Sequence, residues 1–196
     1  MEIKYKDIIL RDYQETDIAD DIRWMTVETA WQDWDAPWEK DEEFDADKFR
    51  TKMLKRLETK PEDSDFRWAF EIDTKDGVHI GGVNSYLIDA EYNWIPGRKG
   101  KGLYTLGIDI CESSYWYRGY GTQAFSAFIL YMNSRGIRDL FTQTWSGNLP
   151  MLALAKRLGF AEVNRVKNYR VVRGRRYAAL TFKLNMKKFN GFFEKG

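Results

Sequence analysis

One cysteine and one histidine in 196 residues remove two large classes of explanation at the outset. Cys111 has no second thiol to pair with, so no internal disulfide braces the chain. One His with one Cys cannot assemble a Cys/His zinc site, and no carboxylate spacing proposes another metal site, so no metal is expected. Neither sign of charge is in excess: 31 Lys+Arg against 30 Asp+Glu leave a net charge of +1. That balance supplies no global field for nucleic acid or an anionic membrane, and the expected partner is a small molecule. No apolar run approaches the roughly 18 residues of a membrane span. The N-terminal MEIKYKDIIL also lacks the apolar core of an export signal, so a cytoplasmic protein is expected, as monomer or homodimer. The length suits one domain, residues 1–196, and is short for two.

What the chain does have is aromatic residues, 16% of the total with 8 Trp. Trp31, Trp34 and Trp38 interleave with Asp33, Asp35 and Glu39 in a stretch where Pro37 discourages continuous helix. Two readings fit it. Either the tryptophans cover the core while the acids face water, or aromatic faces and carboxylates together form a wall for a cationic ligand.

Periodicity supplies the elements. Ile8 to Leu10 reads as a short first strand, and Thr16-Asp17 opens a helix to about residue 29 with Ile18, Ile22 and Met25 on one face. Asp45 opens a second helix with Ala46, Phe49, Met53 and Leu57 in register, stopping before Lys60-Pro61. Phe66, Trp68, Phe70 and Ile72 alternate with Arg67, Ala69 and Glu71 as a strand, and Asp76-Gly77 turns into another from Val78 to Ile88. Gly81-Gly82 inside it suggests a bulge or a close backbone approach. Residues 89–102, with Arg98, Lys99 and Lys101, read as an exposed hairpin loop before a strand from Leu103 to Cys111. A helix ending at Gly136, a strand from Ile137 to Trp145, a helix opened by Asn148 and stopped at Gly159, and two strands meeting at Gly174 complete the order. The class is α+β, one central and mostly antiparallel sheet of about seven strands with about four helices on its faces. The cations Arg165 to Arg176 have only Tyr169 as a stacking partner, so nucleic-acid binding is not expected there.

The stretch Tyr115 to Phe125, YWYRGYGTQAF, follows the Leu103–Cys111 strand after a short link and leads into the Phe125, Phe128, Ile129, Met132 helix. Gly119 and Gly121 let backbone approach a ligand. The free N–H groups of the helix start, with the helix dipole behind them and Arg118 beside them, make a seat for a phosphate or pyrophosphate.

Arg118-Gly119-Tyr120-Gly121 and the segment Asn148 to Phe160, NLPMLALAKRLGF, resemble the GNAT superfamily of N-acetyltransferases, most closely its bacterial RimJ/RimL-like branch. The family motif is Q/R-x-x-G-x-G/A, and Trp116 stands where it has Gln or Arg. The resemblance covers about residues 100–184 and implies a sheet splayed between its fourth and fifth strands. It also implies acetyl-CoA as co-substrate, its pyrophosphate held by backbone N–H groups from Tyr117 to Thr122 (Tyr117, Arg118, Gly119, Tyr120, Gly121, Thr122), with Trp116 and Asn148 beside the cofactor. The N–H of Ile110 or Cys111 would then polarise the thioester carbonyl. The family often has a Tyr as acid for the leaving thiolate where this chain has Ala155, which leaves that role vacant or filled elsewhere.

Acetyl transfer to a primary amine by direct attack needs a base, because an alkylamine with pKa near about 10.4 is almost fully protonated at pH 7. Asp109 is the first candidate and Glu112 the second; a solvated strand-end carboxylate is the alternative for each. Asp109 also sits in a pattern similar to aminoglycoside 6′-N-acetyltransferases. Trp31, Trp34 and Asp35 are the candidate acceptor contacts. The acceptor is then a cationic small amine, or, by the RimJ/RimL resemblance, a peptide N-terminus. A CoA-binding module without catalysis is the remaining alternative. Cys111 reads as a small core residue rather than a nucleophile, because no His lies near it.

Overall fold

The computed structural model describes residues 1–40, 43–59, 66–97 and 101–193. The expected helix stop at Lys60-Pro61, and Arg98 and Lys99 of the basic loop, lie outside the described residues. The chain begins with β1 (Glu2–Tyr5), β2 (Ile8–Arg11), α1 (Asp17–Thr26), α2 (Ala46–Glu58) and β3 (Ala69–Thr74). It continues with β4 (His79–Ile88), β5 (Trp94–Ile95), β6 (Leu103–Ile110), α3 (Tyr120–Ser134) and β7 (Leu140–Trp145). It closes with α4 (Leu149–Arg157), β8 (Phe160–Val172), β9 (Arg175–Leu184) and α5 (Met186–Phe193). The strands form one mixed sheet in the order β1-β2-β3-β4-β6-β7-β9-β8, with β5 beside β4.

The expected α+β class holds, with nine strands and five helices among the described residues instead of about seven and four. The additions are β1, β5 and α5. β1 has no deeply buried side chain to set a period, and β5 is two residues long, so neither leaves a clear alternation. β6 and β7 pair in parallel over Tyr104–Leu106 against Leu140–Thr142.

The chain divides into two compact units. The first comprises Met1–Val83 and Ile108–Ala127. β1, β2 and β3 pair antiparallel, placing Leu10 opposite Ile72, both fully buried. Asp45 caps α2 by accepting from the Lys48 N–H at 2.9 Å. Arg11 makes a four-bond clasp: Nε and Nη2 donate to Asp73 (2.6 and 2.8 Å), Nη1 and Nη2 to Asp17 (2.7 and 2.8 Å). The planar guanidinium fork suits this double bidentate geometry, which a lysine cannot reproduce. His79 lies beside it, buried, with one ring nitrogen 3.1 Å from Asp20 and the other 3.2 Å from Glu71. Burial pulls its pKa down, but the hydrogen bond and charge of Glu71 outweigh that and raise it.

The second unit comprises Asn84–Gly107 and Phe128–Gly196. The Thr142 hydroxyl donates to the Leu106 carbonyl at 2.8 Å, pinning the parallel pair. Gly136, at φ +81, ends α3 in a Schellman stop, with Ile137 N–H on the Met132 carbonyl at 3.1 Å. β9 pairs with β7 from Ala179 to Lys183 and with β8 along almost its whole length.

Replacing Arg11 by Leu takes the guanidinium away from both buried acids, leaving Asp73 without a cation among the described residues and Asp17 with only His79 at 3.5 Å. It is expected to cost about 3–5 kcal/mol of stability, read as a lower urea midpoint.

Candidate active site

Strand, turn and helix start follow one another closely. β6 ends at Ile110, a single 3-10 turn covers Ser113–Tyr115, and α3 begins at Tyr120. Trp116, which departs from the family motif, turns its indole N–H back to the Ile110 carbonyl at 2.7 Å, so it braces the loop against the strand it has just left. Tyr117 at φ +61 and Gly119 at φ +87 both take left-handed backbone. A glycine does so without strain, whereas Tyr117 does so at a cost, standing 89% exposed.

The first hydrogen bond of α3 is Gln123 N–H to the Gly119 carbonyl, 3.1 Å. The amides of Tyr120 and Gly121 therefore precede the helix ladder and point out of its start. A Cβ at Gly119 would meet nothing within 4 Å, and one at Gly121 only Ile110 at an ordinary 3.7 Å. The left-handed backbone is what favours glycine at 119, while packing leaves room for a side chain at 121. Arg118 is exposed over the Tyr115 ring at 5.7 Å. Gln123 also exchanges hydrogen bonds with Asp7 (2.8 and 3.4 Å), which fixes the first turn of α3 against the β1–β2 turn. This seat fits a pyrophosphate, and with it the phosphate end of a CoA group.

At the strand end, two expectations change. The Cys111 N–H donates to the Ile80 carbonyl at 2.8 Å, so it is not free to polarise a substrate carbonyl. Of the pair Ile110 and Cys111, only Ile110 keeps that candidacy. Glu112, the second candidate base, accepts from the Trp24 indole at 2.7 Å and from Arg23. Its acceptor oxygen is thus already occupied by two partners from α1.

Asp109 has the opposite environment. Its carboxylate makes no hydrogen bond or ion pair among the described residues. Burial pushes it well above the usual carboxylate range, and the charge of Asp35 adds to the shift. Gly81, at φ +152, makes the close approach expected of the Gly81-Gly82 pair: a Cβ there would stand 2.0 Å from the Asp109 carbonyl oxygen. Asp35 is itself raised, by burial and then by Glu39. Asp109 is half-buried and Asp35 is exposed.

The aromatic segment is part of the same unit. A 3-10 turn covers Ala30–Asp33, and the Trp31 indole donates to the Trp24 carbonyl at 2.9 Å. Asp33 pairs with Lys40 at 3.0 Å, while the Asp35 carboxylate has no such partner among the described residues. Trp34 donates its amide to the Trp31 carbonyl at 3.0 Å. The tie between Asp35 and Asp109, 74 positions apart, has no sequence signal. The Trp24–Glu112 bond likewise joins distant positions, and nothing in the α1 sequence singles out Trp24.

Asn148 lies in the other unit, where its Oδ1 caps α4 by accepting the Met151 N–H at 3.0 Å. Ala155 is fully buried in α4. No group of three or more His, Cys, Asp or Glu among the described residues is arranged to hold a metal ion.

The model of the Acetyltransferase (GNAT) domain matches residues 7–161. No curated protein matches the chain significantly. Among solved structures, a GNAT-family acetyltransferase from Bacillus anthracis superposes with a TM-score of 0.69 at 13% identity, covering 95% of this chain and 99% of that one. RimL, a ribosomal alpha-N-protein acetyltransferase in complex with coenzyme A, superposes with a TM-score of 0.67 at 15% identity, covering 93% and 97%. A spermidine N-acetyltransferase chimera from Vibrio cholerae and hSSAT gives 0.64 at 13%, covering 94% and 99%. At these identities the likeness establishes the fold.

Cys111 is 6% exposed, and burial followed by the charges of Asp109, Asp21, Glu71 and Asp35 pushes its thiol up. A thiol-reactive probe at pH 7.5 is therefore expected to label Cys111 only at the rate of unfolding, with prompt stoichiometric labelling in denaturant.

Proposed function

Because the chain belongs to the GNAT acetyltransferase family, whose members use acetyl-CoA, we propose that it moves the acetyl group to a primary amine by direct attack in a ternary complex. Residues 1–196 act as one N-acetyltransferase domain in this reading. Acetyl-CoA supplies an activated acyl group: the amine nitrogen bonds to the thioester carbon, and the C–S bond breaks to release the CoA thiolate. Everything else falls to the protein. The amides of Tyr120 and Gly121, with Arg118, hold the pyrophosphate, and Trp116 keeps the loop folded against the end of β6.

Asp109 is the base. The observation that carries this assignment is its unpartnered carboxylate, raised by burial and by Asp35. An ordinary carboxylate is too weak a base to compete for an ammonium proton, and raising its pKa narrows the mismatch. Ala155 offers no proton to the thiolate. The proton taken from the ammonium, held at Asp109 or released to water, is the available one.

The acceptor is a cationic small amine. Asp35 repels Asp109 on one side and is repelled by Glu39 on the other, and no cation among the described residues neutralises Asp35 or Asp109. A guest bearing an ammonium relieves that repulsion, and the faces of Trp31 and Trp34 add cation–π attraction. Polyamines and aminoglycosides have this chemistry. A peptide N-terminus, as in the RimL comparison, has a single such charge. Calorimetry with acetyl-CoA, then turnover across an amine panel by CoA-thiol release, tests the assignment. Absence of acetyl-CoA binding at millimolar concentration removes it. Replacing both Trp34 and Asp35 by Ala is expected to raise acceptor KM while leaving that for acetyl-CoA near the parent value.

Asp109→Asn is expected to lower kcat on the order of 10²- to 10⁴-fold. The base works only when deprotonated, so wild-type activity rises as pH passes upward through the raised Asp109 pKa. Asp35→Asn removes a repelling charge and shifts that acid limb to lower pH. The stability sign is opposite. An acid raised in the folded state contributes stability below its unfolded pKa and loses that contribution as pH rises through the folded one. Asp109→Asn is therefore expected to match or exceed wild-type stability at pH 8, which urea titrations at pH 4 and pH 8 check.

A further inference from the structure

Four hydrogen bonds connect the aromatic wall to the cofactor loop, and none belongs to the secondary-structure ladders. The Trp31 indole donates to the Trp24 carbonyl (2.9 Å), and the Trp24 indole donates to Glu112 (2.7 Å). The Ser113 amide donates to Glu28 (3.4 Å), and the Trp116 indole donates to the Ile110 carbonyl (2.7 Å). Arg23 adds an ion pair to Glu112 and a second to Asp20 at 3.1 Å, holding the carboxylate from the α1 side. Trp24 is 3% exposed, with its ring 4.6 Å from that of His79, so it has little freedom to swing away. A buried indole N–H and a half-buried carboxylate are each costly to leave unpaired, which makes this joint stiff.

We propose that Glu112 is a positioning residue: through Trp24 it locks the segment bearing Trp31, Trp34 and Asp35 to the strand end that carries the cofactor loop. Ordering of that loop by CoA is then transmitted to the acceptor wall. The proposal rests on the reading of Tyr117 to Thr122 as the cofactor seat. It also explains the presence of an acid one residue beyond Cys111 that is too well paired to act as a base. Coupling of this kind needs no large movement, because a loop that has already lost its freedom costs a second ligand less to order.

Hydrogen-exchange mass spectrometry with CoA as the probe tests this without knowledge of the acceptor. In the unaltered protein, CoA is expected to slow exchange both in residues 116–122 and in residues 28–36. In Glu112→Ala the slowing at 116–122 stays and that at 28–36 is lost. Glu112→Gln, which keeps an oxygen for the Trp24 indole, restores it. Trp24→Phe, which leaves Glu112 in place, serves as a second break of the same joint, with near-UV circular dichroism checking that each variant is folded. Slowing at 28–36 that persists in folded Glu112→Ala or Trp24→Phe overturns the clasp, as does its absence from the unaltered protein when 116–122 responds. No response at 116–122 in the unaltered protein overturns the cofactor seat instead, and the clasp with it.

Discussion

An unpaired, half-buried carboxylate with another acid as its strongest charged influence is costly for a fold to keep, and the candidate site depends on that arrangement. Asp109 has no compensating cation among the described residues, and Asp35 adds to its burden instead of relieving it, just as Glu39 does for Asp35. The same unit neutralises acids where neutrality is all that is needed: Arg11 satisfies Asp17 and Asp73, Arg23 satisfies Glu112, and Lys40 satisfies Asp33. Leaving Asp109 and Asp35 uncompensated against that background concentrates a demand for positive charge at one place. Under the proposed function a protonated amine meets that demand, and its proton is the one to be removed.

The backbone supplies the other half. Gly81 brings β4 so close to β6 that a methyl group would collide with the Asp109 carbonyl, and the Ile80 carbonyl holds the Cys111 amide. β6 is thereby held rigidly on one side up to its last residue. From there the chain has only the Trp116 brace and one 3-10 turn before the helix start proposed to seat the pyrophosphate. Charge at Asp109 and dipole at Tyr120 are thus set by one short stretch of chain, which keeps their spacing well defined.

Features that depend on residues within a few positions of one another are legible in the sequence, and those that are not share a physical cause. The Asp45 and Asn148 caps, the Gly136 stop and the glycine-rich helix start are all local, and the fold keeps them, whereas burial along β6 does not follow the expected alternation. The strand expected from Phe66 starts instead at Ala69, and Phe66 and Trp68, edge to face with one another, lie before it. Position alone makes Glu112 a candidate base, because it stands near the reacting end of β6, but the partners that occupy it, Arg23 and Trp24, come from 89 and 88 positions away. The Cys111 amide fits the thioester carbonyl by the same logic, and its bond to Ile80 is a tertiary fact. Aromatic neighbours single out Asp35 in the sequence, whereas its electrostatic link to Asp109 arises only when the chain is folded.

The central claim is that the Asp109 carboxyl is proton-hungry because burial and Asp35 make it so. Carbon-13 labelling of the aspartate carboxyls, followed by NMR titration of the protein without ligands, measures this directly, with Asp109→Asn identifying the resonance. The Asp109 signal is expected to titrate well above the ordinary aspartate value near about 3.9 and to move down in Asp35→Asn. An Asp109 carboxyl that titrates in the ordinary range, or does not respond to Asp35, would contradict it.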